Sequence, residues 1–561
     1  MGGTSLTTLD QTIGPGRILR RGTALPYRWL EHRAGEPHLV RNNLVGPRWQ
    51  PPAPPDRRPL LCFAHMTDLQ IADVQSPARF EFFQREFGDP RFAALLPVQR
   101  PQEALVVHAV EALARTLRQL NGGPVTGTPL TMAVITGDAI DNAQWNELQM
   151  FLALMDGGRV RPGSGGPSYE GVQSTDWPDQ IFWRPEGESP HGVDLWTGQY
   201  GFPSYPGLLD DALTEFDTPG LGFPWLGCYG NHEALVQGVG AQTRHVLEYL
   251  VGGRKPVDPP EQLDRDRALE MFIRCPEAFL TGRQLPVTPD DARRGITRAE
   301  FVTAHFGAGH PHGHGFTSDN IRDSSAYYAY DDPASGVRLI CLDTACPQGG
   351  ADGVLDAVQE HWLEQRLIEV HSRYRAGDSR EARSSHEDRP VVILSHHGPD
   401  TFADRHALPD RAQEPRPLVQ GGELVALLHR FPNVVVWLNG HRHINQVQPR
   451  PDPAGYGGFW EVTTGSVMGW PSQARLVELV DNGDGTLSVV CTMVDHDSPL
   501  SPNLAQGRAR LASLHRELAA NVPWGVPGTP LAGTPGDRNV DLPVPIRSST
   551  TARRSSGARS T

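Results

Sequence analysis

Apolar and polar positions follow two rhythms along this chain. Short unbroken apolar runs that end in polar residues predict buried strands. They fall at 60–65 (LLCFAH), 132–136 (MAVIT), 225–229 (WLGCY), 337–342 (VRLICL), 391–394 (VVIL) and 434–438 (VVVWL), with a further strand at 326–330. Nearer the C-terminus, 458–464, 476–480 and 487–494 alternate as strands, with Asn482-Gly483 as a hairpin turn. Helical spacing lies between the runs. Leu105, Val106, Ala109, Val110, Leu113, Leu117 and Leu120 share one face of a helix predicted over 103–120, which Asn121-Gly122-Gly123 ends. Further helices are predicted over 142–155, 355–373, 422–430 and 502–521.

Strands alternating with helices give an α/β class, and the hairpin-rich C-terminal half suggests a second sheet facing the first. Two stretches break the rhythm, at about 156–222 and 235–322, and are rich in Gly, Pro and polar residues. Structureless loops of that length are functional lids or disordered segments. The expected organisation is therefore an extended lead-in at 1–57 and a main domain at 58–500 carrying both insertions. A helix at 501–522 and a disordered tail at 523–561 follow.

Five short polar motifs each follow an apolar run. They are Asp68-Leu69-Gln70, Gly137-Asp138 with Asp141-Asn142, Gly230-Asn231-His232-Glu233, His396-His397, and Gly440-His441-Arg442-His443. Sheets of this class place ligand sites beyond their strand ends. Taken singly, each motif has an ordinary reading as a turn, a helix cap or a solvated pair. Together they supply carboxylate, amide oxygen and imidazole, the donors that hard or borderline divalent ions prefer. Two such ions side by side form a clamp for phosphoester hydrolysis.

In this order, the motifs resemble those of the calcineurin-like metallophosphoesterase superfamily over about residues 60–495, with both insertions unmatched. The resemblance implies a four-layer α/β/β/α sandwich of two mixed sheets flanked by helices. It implies two divalent metal ions (Mn, Fe, Zn or Mg) and a phosphatase or phosphodiesterase that uses a metal-held hydroxide. Carried over by motif, Asp68 and His443 bind the first ion, Asp138 bridges, and Asn231, His396 and His441 bind the second. His396 is preferred to His397 as the ligand. His232 sits near the phosphoryl group, and Arg442 and His232 offset charge as the leaving oxygen departs. Position 70 departs from the family pattern, which is Asp-x-His. Gln70 is either a weaker, neutral ligand of the first ion or a supporting donor; His65 or Asp73 could substitute as ligand, but neither matches the motif. The alternative reading is a catalytically weak or inactive binding protein of the same fold.

Composition narrows the partners. The 561 residues carry a formal net charge of -14 at pH 7, which disfavours long nucleic acid and leaves a small or medium phosphorylated substrate as the expected ligand. No apolar run approaches the roughly 20 residues needed to span a bilayer. Arg20-Arg21 is not followed by an apolar stretch, so no export signal is read there and the expected location is cytoplasmic. Of the six scattered cysteines, Cys62, Cys228, Cys341 and Cys491 lie in apolar runs and predict buried thiols, not a disulfide framework or a zinc knuckle. His305, His310, His312 and His314 form a cluster expected in a solvated loop near the site mouth. Residues 463–466 and Trp470 are expected either to line the pocket or to pack in the core.

Overall fold

In the computed structural model, two mixed sheets share the largest apolar core. The structure describes residues 6–53, 56–307, 309, 311–346, 348–403, 418–455, 457–523 and 531–546. The seven-stranded sheet runs, edge to edge, Leu39–Val40, Val540–Pro545, Thr486–Asp495, Gln473–Asp481, Arg58–Met66, Met132–Ile135 and Trp225–Gly227. Its last three strands are parallel, and the Gln473–Asp481 hairpin strand joins them antiparallel to Arg58–Met66. The six-stranded sheet runs Tyr328–Asp331, Arg338–Cys341, Val391–Leu394, Val434–Asn439, Gly458–Thr463 and Gln446–Pro451. Its four central strands are parallel and its two edge strands antiparallel.

Parallel strands are covered on both faces, which is why their sequences read as continuous apolar runs. The two-residue period of the strand then sorts side chains between two cores. Leu339, Val392, Leu394, Val436 and Leu438 share a core with Phe63, Val134 and Leu476 of the other sheet. Ile340, Val391, Ile393 and Trp437 face the opposite way. They meet Leu363 and Leu367 of the helix Ala357–Ile368, and Leu424 and Leu428 of the helix Gly421–Leu428. The helices Val106–Gln119 and Gly507–Ala519 pack against each other. Among the described residues, no helix is long and apolar enough to cross a membrane.

Both insertions contain short helices and strands and fill small cores of their own. In the first, Trp183, Trp196 and Phe202 pack with Tyr27 and with Leu511, Leu514 and Leu518 of the C-terminal helix. In the second, Val246, Phe272 and Phe279 pack with Phe80, Phe83 and Phe92. The Tyr27 hydroxyl donates to Glu517 Oε1 at 2.9 Å, tying the N-terminal segment to the same helix.

Several local expectations need correction. The lead-in is not merely extended: Gln11–Arg21 and Pro26–Ala34 pair as an antiparallel hairpin. The stretch placed in a disordered tail contains a strand, Val540–Pro545, paired with Thr486–Asp495. Pro543 and Pro545 argue against a strand from sequence, yet Val540, Leu542 and Val544 alternate inward and are fully buried. The rest of that tail, 524–530 and 547–561, lies outside the described residues, as does His310. His305 and His314 are buried and not in a solvated loop. The His314 ring stacks on Trp225 with centroids 3.7 Å apart, and the His305 Nδ1–H donates to the Phe301 carbonyl at 2.8 Å.

If Val540–Pro545 completes the core, Leu542→Ala should cost about 2–5 kcal/mol of unfolding free energy. Urea denaturation of the two proteins measures this, and a dispensable tail would show no change in midpoint.

Candidate metal centre

The parallel strands of both sheets aim their C-terminal ends at one place. Arg58–Met66 delivers Asp68 and Gln70, Met132–Ile135 delivers Asp138, and Trp225–Gly227 delivers Asn231 and His232. From the second sheet, Val391–Leu394 delivers His396, and Val434–Asn439 delivers His441 and His443. Leaving a strand so abruptly forces unusual backbone. Asp68, Gln70, Asp138, His441 and His443 have φ of 51°, 43°, 49°, 66° and 55°, all left-handed. For residues with a Cβ, such conformations cost on the order of 1–3 kcal/mol each and gather at functional sites. Two glycines make room. A Cβ on Gly230 would lie 2.2 Å from Asp138 Oδ1, and one on Gly440 would lie 2.4 Å from Asp68 Oδ2.

Each side chain is held by one end and left bare at the other. Asp68 Oδ2 accepts from the Thr67 hydroxyl at 2.7 Å and the His441 N–H at 3.0 Å, while Oδ1 has no hydrogen-bond partner. Asn231 Nδ2 donates to the Gly238 carbonyl at 2.9 Å, and its Oδ1 is bare. The His396 Nδ1–H donates to the Thr136 carbonyl at 2.8 Å, which makes Nε2 the lone-pair nitrogen, also bare. Gln70 Nε2 donates to His232 Nε2 at 3.1 Å, leaving Gln70 Oε1 bare. A buried polar atom without a partner costs about 1–3 kcal/mol. Four of them at one place, all of ligand type, fit divalent cations.

The mutual distances agree. His396 Nε2 lies 3.0 Å from Asp138 Oδ2, and His443 Nε2 lies 3.1 Å from Asp68 Oδ1. Separations this short between imidazole and carboxylate suit a cation shared within each pair. The ligand atoms of Asp68, Asp138 and His396 all lie within 4.8 Å of one another, as do those of His396, His397 and His441. His397 is nevertheless not available. Its Nε2–H donates to the Ala351 carbonyl at 2.9 Å, and its Nδ1 pairs with the Thr344 hydroxyl at 2.8 Å. The substitutes for position 70 are occupied too. His65 pairs through both nitrogens with Thr136 and Thr464, and Asp73 Oδ2 accepts from Asn146 at 2.7 Å and faces Arg293 Nε at 3.3 Å.

Charge balance points the same way. Burial resists ionisation of Asp138, but His396 and His232 outweigh it and hold the carboxyl well below its usual range. Asp68 is likewise lowered against burial, chiefly by His443. Burial disfavours a charged His396, yet Asp138 and then Asp68 raise it to about 10. His441, buried beside His396, falls to about 3. The carboxylates thus draw a positive charge to themselves, and in the metal-free protein a proton on His396 supplies it.

Around this centre lies a cavity of about 790 Å³, lined by Gln70, Asp138, Asn231, His232, His441, Arg442 and His443. Asp68 and His396 are fully buried and do not line it. Arg442 is exposed, and its Nη1 donates to Gln446 Oε1 at 3.4 Å. The His232 Nδ1–H donates to the Asp141 carbonyl at 2.6 Å, so Nε2 is the lone-pair nitrogen that accepts from Gln70. Residues 463–466 brace the site: Ser466 Oγ donates to the Asp68 carbonyl at 2.7 Å, while Trp470 lines the cavity. A hollow of about 910 Å³ near Asp331, Asp332, Glu387 and Asp388 contains none of the motif residues.

Sequence reasoning gave Glu233 no role. Its buried carboxylate accepts from the backbone N–H groups of Asp138, Ala139 and Ile140 at 2.9, 2.7 and 3.2 Å, and from Gly230 at 2.6 Å. Two ligand loops are thereby locked together. Burial first, and Asp138 second, raise its pKa to about 7. The available signal was an acid following Asn231-His232 in an otherwise apolar environment.

His396 has a folded-state pKa of about 10 against an ordinary 6.5, so its stabilising protonation is fully present below 6.5 and lost as pH rises through 10. A metal must displace that proton. Binding of Mn²⁺ or Zn²⁺ at pH 8 should therefore release about one proton per protein from this residue. Calorimetry in buffers of different ionisation enthalpy measures the release, and His396→Gln should abolish it.

No family model matches the chain, and no curated protein matches it either. Among solved structures it is similar to a dimetal phosphatase from Danio rerio. Identity is 12% over 78% of this chain and 100% of that one, with a TM-score of 0.32. It is also similar to a Staphylococcus aureus protein assigned as a 5′-nucleotidase, in complex with alpha-ketoglutarate. There identity is 16% over 34% of this chain and 33% of that one, with a TM-score of 0.19. Likenesses this loose carry no weight in the functional reading, which rests on the site.

Proposed function

We propose that this chain is a metal-dependent phosphoester hydrolase, a phosphatase or phosphodiesterase of the calcineurin-like metallophosphoesterase kind. In this reading Asp68, Gln70 and His443 would hold one divalent ion, Asn231, His396 and His441 would hold the other, and Asp138 would serve both. Its fold is the four-layer sandwich of that superfamily, with helices outside each sheet. One observation carries the reading: four buried ligand-type atoms, on Asp68, Gln70, Asn231 and His396, lack any hydrogen-bond partner where strand ends of the two sheets meet. Structural ion sites close themselves off, whereas this one opens into a cavity.

Bound there, two divalent ions would supply Lewis acidity toward phosphoryl oxygens and lower the pKa of water. The protein's own groups do the rest. The His232 N–H donates to Asp138 Oδ1 at 3.0 Å, fixing that carboxylate so that Oδ2 faces the centre. Asp141 holds the His232 ring so that Nε2 can donate a proton to a departing oxygen once protonated. Arg442 lends positive charge at the cavity mouth. An amide at position 70 makes the first site richer in oxygen and favours Mn²⁺ or Mg²⁺ over Zn²⁺.

The test uses chelator-stripped protein titrated with Mn²⁺, Mg²⁺, Zn²⁺ and Fe²⁺ against p-nitrophenyl phosphate and bis-p-nitrophenyl phosphate. Metal-restored turnover is expected, and Asp138→Asn should reduce kcat at least about a hundredfold. Folded, metal-loaded protein that hydrolyses neither ester would favour the inactive binding protein.

A further inference from the structure

The cavity has a polar floor and an apolar wall. The wall comes largely from one segment, with Phe87, Ala93, Ala94, Leu96 and Pro97, and Trp470 adds to it; Asp89 of the same segment also lines the cavity and is paired with Arg91 and Arg265. Phe87, Ala93 and Ala94 are exposed to the opening. This segment is held rigidly by its other face. Phe83, Phe92, Leu95 and Val98 are buried against Phe272 and Phe279 of the second insertion. The Val98 N–H donates to Gln84 Oε1 at 3.2 Å, and the Val98 carbonyl accepts from Arg79 and Gln237.

At the foot of the wall stands Arg100, which also lines the cavity. Its backbone N–H donates to Glu103 Oε1 at 2.5 Å. No described acceptor lies within hydrogen-bond or ion-pair reach of its guanidinium. Arg100 lines the same cavity as Asp138, Asn231 and His443, and burial lowers its pKa while the charges of Glu103, Asp141 and Asp68 partly offset this. An arginine left without an acceptor beside a cation site is suited to grip the non-bridging oxygens of a phosphate.

We infer that the enzyme's substrates are phosphoesters with a bulky apolar organic group, held by the Phe87–Pro97 wall and Trp470, with Arg100 anchoring the phosphate. This inference rests on the phosphoester hydrolase reading and adds the chemical class of the ester. A volume of about 790 Å³ accommodates a group well beyond a single phenyl ring, since ligand pockets span roughly 300–1,000 Å³. Sugar phosphates would leave their hydroxyls facing this wall unpaired, and desolvated hydroxyls weaken binding.

The test compares kcat/KM of the metal-loaded enzyme for phenyl, 1-naphthyl and 4-biphenylyl phosphates, whose leaving phenolates are similarly basic, and for glycerol phosphate and a hexose phosphate. About a tenfold gain from phenyl to naphthyl is expected from the added buried ring. Ala94→Asp, or Phe87→Asp should the first variant misfold, should bring the naphthyl-to-phenyl ratio close to one. Arg100→Gln should raise KM about tenfold or more for every ester while changing kcat much less. Turnover that is flat across the aryl series, or best with the polyol phosphates, would overturn the inference and leave the hydrolase reading standing. Absence of turnover with every ester would remove both.

Discussion

Two buried carboxylates set the terms for this molecule. Asp68 and Asp138 stand at the ends of neighbouring parallel strands, and their ionised forms survive burial because imidazoles face them, His443 and His396 from the other sheet and His232 from their own. Such charges are tolerated inside a protein when paired or bound to metal. The seam between the sheets is therefore both the apolar centre of the fold and the place where the fold must import positive charge. Left-handed backbone at five of the candidate ligand positions adds strain that only a tightly packed surround sustains. Glu233 is a large part of that surround, since one carboxylate gathers four backbone N–H groups from two loops.

Much of this was legible in the sequence, for a physical reason. Strands covered on both faces must be apolar throughout, so LLCFAH, MAVIT, VVIL and VVVWL announce themselves, and polar residues right after them must have a task. Elements that compromise with other demands were not legible. Val540–Pro545 is buried but contains two prolines, and a composition argument misread it as a tail. The strand Gln446–Pro451 sits at a sheet edge with only Val447 buried, so its alternation is weak. His305 and His314 looked solvated because Gly and Pro surround them, yet Nδ1 of each bonds to a backbone carbonyl and the His314 ring stacks on Trp225, which seats both inside.

The insertions follow a similar logic. Their sequences lack periodicity, which hides structure made of short elements, but each contributes aromatic residues that need somewhere to go. Trp183 and Trp196 find the C-terminal helix, and Phe272 and Phe279 find the segment that forms the cavity wall. A second buried network ties this region to the centre. Arg79 lies 3.3 Å from Asp141 Oδ2 and also contacts Glu103 and Glu81, and Lys255 of the second insertion donates to Glu81 at 2.8 Å. Asp141 in turn holds His232. The insertion is thus joined to the proposed proton donor through buried ion pairs and a last hydrogen bond from the His232 ring to the Asp141 backbone carbonyl.

Gln70 becomes intelligible against that background. An imidazole at this position would offer the metal a stronger nitrogen. An amide instead has two unlike ends in fixed opposition, oxygen and NH₂. Here the NH₂ end is spent on His232 Nε2 and the oxygen end is left bare. Through that one contact the placement of the bare Gln70 oxygen and the orientation of the His232 ring are set together, with the Asp141 carbonyl holding the ring from its other side. An imidazole at position 70 would present a different donor to His232 along with a stronger nitrogen to the centre, so the residue there bears on the neighbouring ring as much as on the ligand set.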